Sequence, residues 1–129
     1  MKTLSVVMLT LLLMAGIVYA KDFEVKKKAG QYDVTIAIDK NPPVVGDNTL
    51  TIAVKDASGR NVTDAKVRAE YSMPGMPGMP PMNYKSEATL SGNVYKAKIS
   101  PSMSGAWNVA VKVMRGGKTA AVKFTIDAH

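Results

Sequence analysis

Hydrophobic and polar residues alternate along most of the chain that follows Gly30. A period of two residues is typical of β-strands that bury one face. The pattern is clearest in 106–114, where Trp107 and three valines occupy one side. No segment after Gly30 has a helical period. The alternation predicts seven strands, at residues 31–39, 48–55, 62–73, 84–90, 94–99, 106–114 and 119–126.

Turn signals between the predicted strands indicate an all-β fold. Pairs such as Ser58-Gly59 and Gly116-Gly117 favour tight turns. Seven short strands in roughly 100 residues favour an immunoglobulin-like β-sandwich, with a small barrel as the alternative. Trp107 is the candidate core aromatic of this sandwich.

Residues 1–20 have the pattern of a secretory signal peptide. Lys2 supplies a positive charge, residues 4–18 are largely apolar, and Val18-Tyr19-Ala20 provides a cleavage site after Ala20. The alternative is a retained membrane anchor, but the apolar run is shorter than the roughly 20 residues that a spanning helix needs. No cysteine lies near the cut, which excludes lipid attachment there. We therefore predict an exported protein, periplasmic or extracellular after cleavage.

A basic segment, 21–30, precedes the predicted sandwich domain, 31–129. It contains Lys26, Lys27 and Lys28, and the whole chain has a formal net charge of +7. The lysine cluster could bind anionic lipid or a partner, whereas the other lysines alternate along strands as they do on solvated faces. Aromatic residues do not interleave with them as a nucleic-acid surface requires, so nucleic-acid binding is not expected.

Strand alternation also predicts which loops share one end of the fold. If successive strands reverse direction, the connections 40–47, 74–83 and 100–105 lie at the same end as the C-terminal residues 127–129. Neighbouring strands 62–73 and 106–114, expected in an immunoglobulin arrangement, would bring these loops together. The lysine cluster would lie toward the opposite end.

Met73 to Met82, read MPGMPGMPPM, places methionine at every third position. Met-Pro-Gly-Met has Pro and Gly in the order that a type II turn prefers, so one or two bends should precede a stiff exit at Pro80-Pro81. A bend would bring two sulfurs together, and soft thioethers select Cu(I). The chain has no cysteine, so any soft metal depends on Met or His. Candidate ligands are Met73, Met76, Met79, Met82, Met103 and His129, and Trp107 is a candidate to shield the cation.

Other interpretations of the methionines stay open. Methionine-rich surfaces bind protein partners, and methionine also fills gaps in cores. Met73 is expected to point into the core at the end of its strand. Met76 and Met79 are the preferred ligands, whereas His129 is a weaker candidate because terminal residues fray.

Three motifs make this chain similar to the YtkA-like family of small exported domains, which is related to the FixH-like accessory proteins. They are the Met-Pro loop, the stretch Gly92-Asn93-Val94-Tyr95, and Met103-Ser104-Gly105-Ala106-Trp107. The resemblance implies an immunoglobulin-like sandwich and an association with copper handling, beside heavy-metal efflux or oxidase-assembly systems. FixH-like proteins keep a membrane anchor, whereas this chain is predicted to have a cleavable signal.

The candidate chemistry favours a binding protein and argues against an enzyme. One terminal histidine and scattered carboxylates do not assemble a nucleophile with its base or a hydrolytic metal site. We expect an exported Cu(I)-binding module that buffers copper or delivers it to a partner of an efflux or oxidase-assembly system, with Ag(I) as a second soft ion. No small-molecule substrate is expected. The alternative is an accessory domain that docks a membrane or efflux complex through its Met/Pro loop without metal.

Overall fold

The computed structural model describes residues 23–129, which form two antiparallel β-sheets packed face to face. The all-β sandwich prediction is confirmed, and the two separate sheets exclude the barrel. No helix within the described range is long and apolar enough to cross a membrane. The predicted signal peptide lies outside the described residues. The strands are β1 (Phe23–Ala29), β2 (Tyr32–Ile38), β3 (Asn48–Lys55), β4 (Lys66–Met73), β5 (Met82–Glu87), β6 (Thr89–Ser91), β7 (Val94–Ile99), β8 (Gly105–Arg115) and β9 (Lys118–Ala128).

The two sheets divide the chain unequally. The larger sheet has the order β1-β2-β3-β7-β6, and the smaller one has the order β5-β4-β8-β9. In the smaller sheet β4 pairs with β8 from Lys66↔Met114 to Ser72↔Asn108. The expected neighbouring of these two strands is therefore confirmed.

The structure has nine strands in place of the predicted seven, for two reasons. The first is that residues Phe23–Ala29, within the basic segment, form β1 at the edge of the larger sheet. Three consecutive lysines break the alternation of this segment, but lysines suit an edge strand because they discourage pairing with other chains. The second is that the strand predicted at 84–90 divides near Ala88 into β5 and β6, which belong to different sheets.

The core lies between the inner faces of the two sheets. Alternating residues of β2, β3, β4 and β8 fill it, and Trp107 is fully buried with no exposed surface. The core position predicted for Trp107 is therefore confirmed. Tyr71 and Tyr84 pack against it, each with its ring centroid 6.0 Å from that of Trp107.

Four segments meet at one end of the sandwich, which we call the methionine pole: residues 39–47, 74–81, 100–104 and 129. Backbone hydrogen bonds join three of them, because Gly46 N donates to Pro101 O at 3.0 Å and His129 N donates to Pro43 O at 3.0 Å. The Ser102 hydroxyl contacts the Met82 sulfur, next to the fourth segment. The predicted gathering of loops is therefore confirmed. β1 begins at this pole, where Phe23 pairs with Ile38, and runs toward the other end. Its lysines lie toward that other end, as expected.

Candidate metal site at the methionine pole

The connection between β4 and β5 is an extended hairpin, residues 73–82, which we call the methionine hairpin. Met73 pairs with Met82 at its base, and Met76 pairs with Met79 near its tip in the same register. Met79 N donates to Met76 O at 2.8 Å, and Met76 N donates to Met79 O at 3.1 Å. These bonds close a two-residue turn, in which Gly78 has a φ of 81°.

One of the two possible bends forms. The turn at Pro77-Gly78 has the positive φ that a type II turn requires at its second central residue. Gly75, the glycine of the first Met-Pro-Gly-Met, has no positive φ. A Cβ atom added at Gly75 would lie 3.1 Å from Pro81 Cδ, because the two arms of the hairpin pass close together there. The first Met-Pro-Gly-Met therefore continues a hairpin arm, and one bend forms of the one or two expected.

Met76 and Met79 form an exposed cross-strand pair at the hairpin tip. Their exposed fractions are 46% and 39%. Directly opposed residues of an antiparallel pair point to the same side, with Cβ atoms about 5 Å apart. Two flexible methionine side chains from such positions can bring both sulfurs to one ion. The tip thus offers a two-thioether chelate that is open to solvent.

Met73, Met82 and Met103 form a second group of methionines, at the base of the hairpin. Met73 is buried, with its Cε atom 3.1 Å from where a Cβ on Gly105 would lie. The Met82 sulfur accepts a hydrogen bond from Ser102 Oγ at 3.3 Å. Met82 and Met103 are half-buried and pack against the core. The predictions that Met73 points inward and that Met103 lies beside the hairpin are both confirmed.

The two groups of sulfurs do not face the same way. Successive residues of a strand point to opposite faces, so Met73 and Met76, three positions apart, point to opposite sides. Three residues of extended chain also separate the two levels by about 10 Å. The structure therefore brings together Met76 with Met79, and Met73 with Met82 and Met103. It does not bring together all the predicted ligands.

Trp107 helps to position the methionines at the hairpin base. Its Nε1–H donates to the Met103 carbonyl at 3.0 Å, which holds the loop 100–104 against the sheet. The indole is fully buried, and its neighbours in the core are the rings of Tyr71 and Tyr84. The ring is therefore not positioned to cover an ion at the exposed tip, contrary to the shielding role considered for it.

His129 belongs to the pole but lies away from the methionine hairpin. Its backbone N–H donates to Pro43 O at 3.0 Å, and its carbonyl accepts from Val45 N at 3.1 Å. These two hydrogen bonds fasten the backbone of this terminal residue to the loop 39–47. β9 is three inter-strand spacings from β5, or about 14 Å. The structure therefore does not group His129 with the hairpin sulfurs.

Charged groups at the pole fasten the loops to one another. Asp47 Oδ1 accepts from Ser100 Oγ at 2.5 Å, and Asp47 Oδ2 lies 3.8 Å from Lys98 Nζ. The Ser100 hydrogen bond, followed by the Lys98 charge, lowers the pKa of the Asp47 carboxyl below its ordinary value of 3.8. Within residues 23–129 no three His, Asp or Glu side chains cluster as a ligand group. The candidate donors at this pole are thioether sulfurs.

Two residues of the site were missed by the sequence reasoning. Ser102, whose hydroxyl contacts the Met82 sulfur, could not be assigned because its contact depends on how two loops meet. Tyr84 could have been assigned from the sequence, since it follows Met82 by two positions and therefore lies on the same face of β5. Tyr84 is exposed by 41%, and its ring centroid lies 5.4 Å from that of Tyr71.

Comparisons with known proteins agree with this architecture. The chain is similar to the structure of "as isolated" FetP from uropathogenic E. coli strain F11, expressed in the periplasm of E. coli BL21(DE3). The TM-score is 0.56 at 9% identity, over 83% of this chain and 95% of that one, so the similarity extends to the fold. No curated protein matches in sequence. The sequence model of the YtkA-like family matches residues 26–112, which include the methionine hairpin, Met103 and Trp107. The chain belongs to the YtkA-like family.

Proposed function

We propose that this protein is an exported Cu(I)-binding module whose principal ligands are Met76 and Met79. The observation that carries the proposal is the exposed cross-strand pair that these residues form at the hairpin tip. The association with copper handling that the family resemblance implies supports the same conclusion. Export follows from the signal peptide predicted at residues 1–20.

The donor chemistry of the pair suits a soft monovalent ion. Thioether sulfur prefers Cu(I) to the hard cations that bind carboxylates, and Ag(I) shares this preference. Metal sites built from thiolate or imidazole ligands must release protons before they bind. Thioethers carry no titratable proton, so the Met76/Met79 pair binds without that cost. Acidification of the compartment would leave such a site functional.

The position of the pair suits transfer as well as storage. Two protein ligands leave the outer side of the ion open, so a ligand from a partner protein can approach before either methionine leaves. Met82 lies about 10 Å deeper along the hairpin than Met79, and Met103 lies in the loop 100–104. They are half-buried and serve mainly to pack the hairpin base against the core. The proposed module would buffer copper or deliver it to a protein of an efflux or oxidase-assembly system.

A second function accounts for the same exposed residues without metal. Met76 and Met79 are among the exposed large hydrophobic residues of the described range, and the prolines around them are exposed too. Flexible exposed methionines also suit a protein-docking surface. In that case the hairpin would dock a membrane or efflux component, and the protein would be an accessory domain.

An anaerobic Cu(I) titration against a competing chelator separates the two functions. The chain beginning at Lys21 is compared with the double variant Met76→Leu/Met79→Leu, which keeps apolar bulk and removes both sulfurs. Met114→Leu is the matched control, since this half-buried methionine lies at the end of β8 away from the hairpin. Uptake by the wild type and the control, lost in the double variant, supports the copper module. A wild-type protein that takes up no Cu(I) leaves the docking domain as the explanation.

A further inference from the structure

The methionines of the described domain differ sharply in access to solvent. Met76 and Met79 are exposed by 46% and 39%, whereas Met73 is exposed by 4%. Met82, Met103 and Met114 are half-buried. The Met82 sulfur already accepts a hydrogen bond from Ser102, and the Met114 sulfur lies 4.0 Å from Arg68 Nη2. The tip sulfurs are therefore the ones that a small polar reagent reaches first.

We propose that Met76 and Met79 are a paired oxidation site, and that their oxidation switches off soft-metal binding at the hairpin tip. The reagents are two-electron oxygen-transfer oxidants, namely peroxides. The switch rests on the proposed Cu(I) function, whereas the selectivity of oxidation rests on exposure alone. Methionine sulfoxide reductases reverse the product, so the change is not a permanent loss.

Hydrogen peroxide alone converts the thioether to the sulfoxide, with water as the other product. A lone pair on the thioether sulfur attacks one peroxide oxygen, an S–O bond forms, and the O–O bond breaks. The departing hydroxide takes the proton left on the transferred oxygen and becomes water. Sulfur loses two electrons to give the sulfoxide, and the peroxide gains them. No residue of the protein needs to act as a catalyst.

Oxidation removes the property that makes the pair a ligand. The sulfoxide has a polar oxygen where the thioether offered a soft lone pair, and oxygen donors suit hard cations better than Cu(I). The pair binds as a chelate, so one sulfoxide is enough to reduce it to a single ligand. The fold should tolerate the change, because both side chains already face solvent. Oxidation of Met73 would instead place a polar group inside the core.

Metal binding and oxidation compete for the same electrons. A sulfur that donates its lone pair to Ag(I) or Cu(I) cannot attack a peroxide at the same time. Occupied protein should therefore resist oxidation at Met76 and Met79 while its other methionines react as before. Empty protein in an oxidising compartment should lose its metal capacity first.

The experiment treats the chain beginning at Lys21 with limiting hydrogen peroxide and locates sulfoxides by peptide mass spectrometry. Parallel samples are loaded with Ag(I), which does not cycle redox state, and the oxidised protein is then titrated with Ag(I). We expect Met76 and Met79 to be oxidised several-fold faster than the half-buried methionines, and Met73 to be oxidised last. Ag(I) should protect the tip pair selectively, and oxidised protein should bind as poorly as Met76→Leu/Met79→Leu.

Each result decides a different part of the inference. Uniform oxidation of all the methionines would overturn the oxidation site, whatever the protein does with metal. Selective oxidation with Ag(I) uptake retained would overturn the switch. If the wild-type protein is oxidised selectively but never takes up Ag(I), the sulfoxide positions support the oxidation site. The same result counts against the proposed copper function. Circular dichroism of the oxidised protein should remain that of the native sandwich.

Discussion

Met76 and Met79 exchange backbone hydrogen bonds with each other, from N to O at 3.1 and 2.8 Å. This reciprocal pairing makes them directly opposed residues whose side chains share one side of the hairpin. The pairing of the backbone, more than the spacing of the sequence, is what places the two methionine side chains on the same side.

Removing either tip sulfur alone should weaken Cu(I) binding as much as removing both. A chelate that loses one of two ligands keeps one weak donor, so Met76→Leu and Met79→Leu should not be additive. We expect each to lower affinity about tenfold or more, the effect of about 1.4 kcal/mol of lost binding free energy. Chelator competition measures this directly. Met82→Leu, at the hairpin base, should change affinity little; an equal loss there would show that the base group is the true site.

Gly78→Ala should weaken metal binding by opening the turn that joins the pair. Gly78 has a φ of 81° and no atom within 4 Å of an added Cβ, so the cost is backbone strain, about 1 kcal/mol. Gly59→Ala is the matched control, since Gly59 has a φ of 84°, equally open surroundings and a place away from the hairpin. Thermal unfolding should report similar small losses for both variants. Cu(I) affinity should fall in Gly78→Ala alone. An unchanged affinity in that variant would show that the turn is not needed for metal binding.

Cu(I) affinity should be insensitive to pH through the range in which histidine titrates. Thioethers bind no proton, whereas an imidazole ligand with an ordinary pKa of about 6.5 would lose affinity as pH falls through that value. Titrations at neutral and mildly acid pH, corrected for the chelator's own protonation, measure the difference. The variant His129→Gln should bind as the wild type does. If Cu(I) affinity falls steeply at acid pH and His129→Gln abolishes that fall, His129 is a ligand after all.

The Asp47–Ser100 contact should make part of the stability depend on pH in the acid range. The Ser100 hydroxyl and the Lys98 ammonium lower the pKa of the folded Asp47 below 3.8, so the folded state binds this proton less readily than the unfolded state. The stabilisation is present above pH 3.8 and is lost as the pH falls through the lowered pKa. Urea unfolding should be measured from neutral to acid pH. The free energy of unfolding should decline less steeply in Asp47→Asn than in the wild type. A decline as steep in Asp47→Asn as in the wild type would contradict this role of the Asp47 carboxylate.

The sequence predicted the turn chemistry of the hairpin better than the direction of its side chains. Pro77-Gly78 was predictable because a positive φ at the second central position requires a residue such as glycine. The division of the sulfurs was not predicted, because the sequence does not show which Met-Pro-Gly-Met bends and which continues a strand. Once the hairpin is known, a spacing of three against a strand period of two explains why Met73 and Met76 point apart.

Edge and crossing strands were the harder part of the fold. β1 carries Lys26, Lys27 and Lys28 where a half-buried strand would alternate, so its sequence resembles a charged leader more than a strand. The crossing at Ala88 depends on where both sheets end, which a local pattern does not contain. The strand β8 was predicted well because its inward residues alternate without interruption from Trp107 to Val113.

Both ends of the described chain leave the sandwich at the methionine pole, Phe23 beside Ile38 and His129 beside Pro43. A polyhistidine affinity tag joined at either end would therefore carry extra copper-binding imidazoles to the same side as the thioethers. Immobilisation through either end would likewise turn the hairpin toward the support. Lys28, exposed near the far end of β1, is a better attachment point for sensors and pull-down resins that must leave the hairpin free.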